Sequence, residues 1–260
     1  MNVKMFRTIG ILFSLLLLVS GCARLVVPDM PQEDVIGAEN RLERFARVNK
    51  DIPPFNGIGD VRIVSGEGAW SFRGAWLGVP EDRFRIETVG MAGQPGARLI
   101  CDGAQCHLIY SENGCYRKIS TSEKNLRHLA GIDMAVADLV VLLGGGVPVV
   151  DHDTAWMEGS GDPTGPVMTL KKRFYGEVGK IYFSPDTDRV EIIEVYGFRQ
   201  LKYRAEIIST RVVDGYVVPD ILRIENDDAA MVLNVSRAGF GVSYPADAFV
   251  PALPENDRCR

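Results

Sequence analysis

Residues 201–207 read Leu201-Lys202-Tyr203-Arg204-Ala205-Glu206-Ile207, a near-perfect alternation of apolar and charged side chains. Successive side chains of a strand point to opposite faces, so this stretch gives one greasy face and one wet face. A helix could not use the pattern, because its buried stripe needs apolar residues three and four apart. Arg83-Phe84-Arg85-Ile86-Glu87 and Asp60-Val61-Arg62-Ile63 alternate in the same way. Leu99 to Cys101, His107 to Tyr110, Trp156-Met157, Val167 to Lys171, Lys180 to Phe183, Arg189 to Tyr196, Val217 to Glu225 and Met231 to Val235 read as further strands. Asn113-Gly114, Pro185 to Asp188 and Asp214-Gly215 are turn signals between them. About eleven antiparallel strands are expected, and a sheet that wide curls or closes. The chain therefore reads as mainly β, an incomplete antiparallel β-barrel with an apolar inner face.

Two helices interrupt the strands. Val35 to Asn49 places Leu42, Phe45 and Ala46 on one face, and Ile52-Pro53-Pro54 stops it. Ile132, Ala135, Val136, Leu139 and Leu143 form a second helical stripe over residues 133–143, with Gly144-Gly145-Gly146 as its cap. Ser122 and Glu123 open a shorter candidate helix. Helices with such stripes would form a lid over the apolar face of the sheet.

The N-terminus carries Lys4 and Arg7, then the apolar run Ile9 to Val19. A basic start, a short apolar run and small residues form the layout of a secretory signal. The run is shorter than the roughly 20 apolar residues that span a bilayer. It ends Leu18-Val19-Ser20-Gly21-Cys22, which resembles the lipobox of bacterial lipoproteins. The resemblance implies acylation of Cys22, a signal peptide over 1–21 and, with Ala23 rather than Asp next, sorting to the periplasmic face of the outer membrane of a Gram-negative cell. Residues 22–34 then read as a tether, 35–245 as a single domain, and 246–260 as a loose Pro-rich tail.

The net charge of −5 argues against a nucleic-acid partner, which would favour a basic face. In an oxidising compartment Cys101, Cys106, Cys115 and Cys259 can form disulfides. Cys101 and Cys106 stand opposite each other if Asp102-Gly103-Ala104-Gln105 is a four-residue loop, and diagonal if Asp102-Gly103 is a two-residue turn. The cysteine and histidine spacings match no usual zinc set. Asp151-His152-Asp153 invites a metal or acid-base reading but lies in a loop without a second histidine nearby, and no Gly-x-Ser-x-Gly elbow is present. Neither a cofactor nor an enzymatic activity is expected.

In chain order, Phe55-Asn56-Gly57-Ile58-Gly59-Asp60-Val61-Arg62-Ile63, Phe72-Arg73-Gly74, Pro80-Glu81-Asp82-Arg83-Phe84-Arg85-Ile86-Glu87, Leu99 to Gly103 and Asp138-Leu139-Val140-Val141-Leu142-Leu143-Gly144 resemble the LolA/LolB lipoprotein-carrier family. The resemblance implies an incomplete barrel with a helical lid over an apolar cavity, which binds the acyl chains of lipoprotein or lipid cargo without a chemical step. It also implies a periplasmic carrier protein as a partner, and a protruding loop with an exposed apolar residue. The corresponding loop here is Val89 to Gly96, in which Met91, where the family usually has leucine, is the candidate to insert into the membrane, or simply packs on a neighbour. Phe84, Ile86, Leu99, Ile192 and Tyr203 are candidates to line the cavity, or equally to fill an ordinary core. Lys171-Lys172-Arg173 could touch anionic head groups or be a solvated strand end. An envelope-assembly lipoprotein that binds a protein partner is the alternative function.

Overall fold

A computed structural model describes residues 31–80, 83–90, 95–110, 114–120, 126–159, 165–198, 200–245 and 247–252 of the chain. In order, α1 (Gln32–Lys50) precedes β1 (Phe55–Ser65), β2 (Gly68–Val79), β3 (Arg83–Val89), β4 (Pro95–Asp102), β5 (Gln105–Tyr110) and β6 (Cys115–Ser120). Two short helices follow, α2 (Arg127–Ala130) and α3 (Val136–Leu143). Then come β7 (Thr154–Glu158), β8 (Val167–Lys172), β9 (Gly176–Phe183), β10 (Val190–Gly197), β11 (Gln200–Val213), β12 (Tyr216–Glu225) and β13 (Ala229–Phe240).

The strands form one 13-stranded antiparallel sheet in the order β6-β5-β4-β3-β2-β1-β13-β12-β11-β10-β9-β8-β7. The sheet is open, and it has more strands than the eleven expected. One addition is β2, whose glycines at 68, 74 and 78 hide its strand character. The first and last strands meet in the middle, from Phe55 opposite Phe240 to Ser65 opposite Ala229. Consecutive strands β6 and β7 therefore stand at opposite edges. The connection between them, carrying α2 and α3, has to run from one edge of the sheet to the other.

The inner face carries one large apolar core, with Phe55, Val61, Ile63, Trp76, Phe84, Leu99, Phe183, Ile193, Tyr203 and Leu233 all buried. Glycines on this face leave room for neighbouring rings. A methyl at Gly57 would lie 2.4 Å from the Trp76 ring, and one at Gly78 would lie 2.2 Å from the Phe55 ring. At β4 and β5 the outer face is buried too, through Ile100, His107 and Ile109. Asp102 turns the β4–β5 hairpin by accepting the amides of Ala104 and Gln105 at 2.9 and 2.7 Å. The turn thus centres on Gly103-Ala104, and Cys101 lies directly opposite Cys106. A disulfide joins the two.

The helices differ from expectation mainly at their ends. α1 runs further at both ends than 35–49, and α3 begins at Val136 because Ala135 is extended (ψ 146°). Residues 122 and 123 lie outside the described residues. Beyond 245, where the sequence predicts a loose tail, Ala248 and Phe249 are buried against Val79; just before it, the Tyr244 hydroxyl donates to the Phe55 carbonyl at 2.7 Å.

Gly57→Ala should destabilise the domain by about 1–3 kcal/mol through overpacking against Trp76. Thermal melting should show a fall of roughly 2–12 °C for a domain of this size. Gly66→Ala, with open space around its added methyl, is the neutral control.

Candidate functional site: the inner face and its lid

The alternation of the strands sets what faces inward. On β3 and β4, Phe84 and Leu99 are buried and Ile86 is half-buried against the same core. Tyr203 on β11 is buried with them. Ile192 does not belong here. A register shift between Val190 and Ile192 displaces the alternation by one residue. Ile193 and Val195 therefore face the core opposite Ala205 and Tyr203, while Ile192 sits on the outer face opposite Glu206. Met91 lies outside the described residues, as do Cys22 and Cys259.

The lid segment lies on this face as an apolar plug. Leu126, Ala130, Ile132, Met134, Val136, Leu139, Val140, Leu142 and Leu143 are all buried within the same core cluster. α3 is apolar almost throughout because both of its sides are covered (Asp138 is its one charged residue). At its end Gly145 adopts φ +83°, and a methyl there would lie 2.1 Å from the Val217 carbonyl oxygen. Only glycine fits so close to the β12 backbone.

Polar ties hold the lid and α1 in place. The Tyr203 hydroxyl donates to Asp138 Oδ2 at 2.9 Å. Burial, and next the Asp138 charge, push the Tyr203 phenol well above its ordinary pKa, so it remains a donor. Asn226 donates to the Gly131 carbonyl at 3.1 Å. Asn49 of α1 donates to the Val147 carbonyl at 2.8 Å and accepts the Val147 amide at 3.0 Å. Arg41 and Arg44 pair with Asp188 in the turn between β9 and β10, and the Arg41 guanidinium lies 5.2 Å from the centre of the Phe183 ring. The Asp-Thr-Asp sequence read as a turn is one, and it also anchors α1.

Solvent reaches the seams of this assembly. A cleft of about 200 Å³ lies where α1 and the end of α3 meet β10, β11 and β12, between Phe45, Leu142, Val190, Ile207 and Val218. A second cleft, about 440 Å³, opens beside Tyr203 and Asp138. Ligand pockets usually offer about 300–1,000 Å³; the apolar seam falls below that range, and beside it a cleft of about 690 Å³ opens between Arg44, Ile52, Gly144 and Tyr216. Beneath the lid, the described side chains of sheet and lid are buried against one another in one core cluster. A further cleft of about 570 Å³ lies on the outer face beside Arg85, Glu87 and Arg237.

Other polar groups have structural partners. Asp151 pairs with Lys172, Asp153 accepts the Arg173 amide at 2.6 Å, and His152 Nδ1 lies 2.8 Å from the Val150 carbonyl. These contacts hold the loop before β7 against the β8 hairpin. On the outer face Glu194 accepts the hydroxyls of Tyr182 and Tyr196 at 2.7 and 2.6 Å and pairs with Arg204. Burial favours the neutral acid there, but these bonds outweigh it and hold the Glu194 carboxyl below its usual range.

An open antiparallel sheet, curled round an apolar face and covered by helices drawn from the connection between its edges, is the LolA-like fold. Solved structures similar to the chain carry that fold. One is a domain assigned to outer membrane lipoprotein sorting from Vibrio parahaemolyticus, 12% identical, with a TM-score of 0.57 over 84% of this chain and 97% of that one. Another is a DUF1329 family protein from Desulfovibrio piger, 14% identical, with a TM-score of 0.54 over 83% and 97% of the two chains. A third is a LolA superfamily protein from Nitrosomonas europaea, 14% identical, with a TM-score of 0.52 over 82% and 97%. No protein-family model matches the chain, and no curated protein sequence matches it.

Burial alone would raise the Asp188 carboxyl, yet hydrogen bonds from Arg44 and Arg41 hold it below the ordinary aspartate range. Its tie to α1 is therefore fully present above the ordinary aspartate range and is lost as pH falls through the lower, folded-state value. As a partly exposed pair it contributes less than about 1 kcal/mol. Asp188→Asn should lower amide-exchange protection in α1 at neutral pH, as strong acid does in the parent protein. Unchanged protection would show that Asp188 does not hold the helix.

Proposed function

We propose that this chain is a lipoprotein of the Gram-negative envelope, held at the periplasmic face of the outer membrane by acyl groups on Cys22. In this reading it receives an acyl chain of lipoprotein or lipid cargo between the inner face of its sheet and the lid, and assists its delivery to that membrane. The supporting observation is the material between sheet and lid, which is almost wholly aliphatic and aromatic. The printed descriptions of similar structures, lipoprotein sorting and the LolA superfamily, favour the same reading.

The physics is an exchange of like for like. While the lid is seated, Leu139, Leu142 and their neighbours cover the inner face. A cargo acyl chain that displaces them removes a similar apolar area from water, at about 0.8 kcal/mol per buried methylene. Such an exchange is close to balanced, and a carrier needs that balance in order to release what it binds. No bond is made or broken, so neither a catalytic group nor a cofactor is required. Asp138 and Asn226 are suited to be latches, because hydrogen bonds contribute about 1 kcal/mol each and reform readily.

The mutual burial of sheet and lid side chains also favours a second reading. The same fold, with its plug permanently seated, would serve as an envelope-assembly lipoprotein that binds a protein partner by its surface. A fatty-acid probe carrying a photoreactive group on its tail separates the two readings. With the full chain, the carrier reading expects crosslinks at Phe84, Ile86, Leu99 and residues 136–143, and more of them when Tyr203→Phe and Asn226→Ala weaken the latches. Crosslinking there no stronger than at Ile192 on the outer face would leave the partner-binding reading in its place.

A further inference from the structure

Two hairpin tips lie side by side at one end of the sheet, and both carry phenylalanine where the backbone is left-handed. Phe174, between β8 and β9, has φ 70°, and Phe198, between β10 and β11, has φ 45°. Among the described non-glycine residues only Asp214, an ordinary turn residue, shares that region at φ 51°. A bulky aromatic residue at positive φ is unfavourable, and asparagine or glycine would serve either turn better. Burial does not compensate. Phe174 is 85% exposed, Phe198 76% and Tyr175 51%. The Tyr175 and Phe198 rings meet edge-on at 6.3 Å, joining the two tips into one apolar cap.

Basic residues surround the cap. Lys171, Lys172 and Arg173 lead directly into Phe174, and Lys202 lines the cleft beside Phe198. The Arg173 guanidinium lies 5.1 Å from the Phe174 ring centre and Lys172 Nζ 6.0 Å from that of Tyr175. The carboxylates facing this group are Asp151 and Asp153, Asp133 and Asp138 line the cleft that Lys202 shares, and Glu177 pairs with Lys180 at 2.9 Å. At the β8–β9 tip itself the run Lys171, Lys172 and Arg173 exceeds Asp151 and Asp153 in charge, although the whole chain has a net charge of −5.

We propose that the paired tips are a membrane-docking edge, with Phe174, Tyr175 and Phe198 entering the boundary between head groups and acyl chains while Lys171, Lys172 and Arg173 meet anionic head groups. Shape and area favour a bilayer over a protein partner. Aromatic side chains bury roughly 150–250 Å² each, so three rings fall short of the about 800 Å² per partner that a stable protein interface takes. That area suits shallow insertion beside basic residues. The edge requires neither a hollow interior nor cargo, so it stands or falls separately from the carrier reading.

The test uses the full chain reconstituted into phosphatidylcholine vesicles whose acyl chains are brominated, with and without phosphatidylglycerol. Phe174→Trp and Phe198→Trp should each add fluorescence that bromine quenches, more strongly with phosphatidylglycerol. Val212→Trp, exposed at the opposite end of the sheet, should add fluorescence that bromine leaves intact. Combining Phe174→Asn with Phe198→Asn should leave the melting temperature unchanged or raised, while a Tyr175→Trp reporter loses its quenching. Equal quenching at both ends of the sheet would overturn the proposal. So would a fall of several degrees in melting temperature in the asparagine variant, which would make the rings structural. A vesicle-free dimer that dissociates in that variant would likewise overturn it, assigning the cap to a second copy of the chain.

Discussion

The pairing of β1 with β13 is the constraint on which the architecture rests. Each half of the chain is a run of neighbouring strands, and this one ladder, from Phe55–Phe240 to Ser65–Ala229, joins the two halves into one sheet. It sends β6 and β7 to opposite edges and so obliges their connection to bridge the inner face. That segment is apolar because it lies against an apolar surface. Lid and sheet thus follow from one topological fact, and the aliphatic layer between them follows from both.

The same arrangement separates two kinds of bonding. Within the sheet, backbone ladders fix every strand to its neighbours. Between sheet and lid there are side-chain contacts and a few polar ties, such as Tyr203 to Asp138 and Asn226 to Gly131. Apolar contact has no direction, so this layer lacks the fixed geometry that the ladders impose on the sheet. On the outer face the Glu194 cluster works in the opposite sense. Tyr182, Tyr196 and Arg204 bind one carboxylate with directed bonds, stiffening β9, β10 and β11 behind the site.

Much of this was legible in the residues. Alternation found most strands and put Phe84, Leu99 and Tyr203 on the inner face, and the stripe through Val136 and Leu139 found the lid helix. What escaped has physical causes. β2 carries glycine at 78 because the Phe55 ring occupies the space a side chain there would need, so a feature that lets it pack also weakens its pattern. Ile192 was assigned to the wrong face because a register shift before it is invisible to a strict period of two. The spacing of cysteines left two geometries open, and the side-chain bonds of Asp102 select the turn. The phenylalanines at two turns, Phe174 and Phe198, gave no signal by spacing. Only backbone angles and the proximity of the two tips mark them.

The central ladder also governs how the chain can be made. Its strands are separated by most of the domain, so β1 waits for its partner until the last strand is available. A protein whose decisive contact is this remote in sequence folds slowly. Until then β1 presents an uncovered row of amide and carbonyl groups, a template for misassociation. Newly made chains should therefore depend on helpers that shield this strand, and a stalled or shortened product lacking residues 229–240 should aggregate rather than persist as a half-sheet.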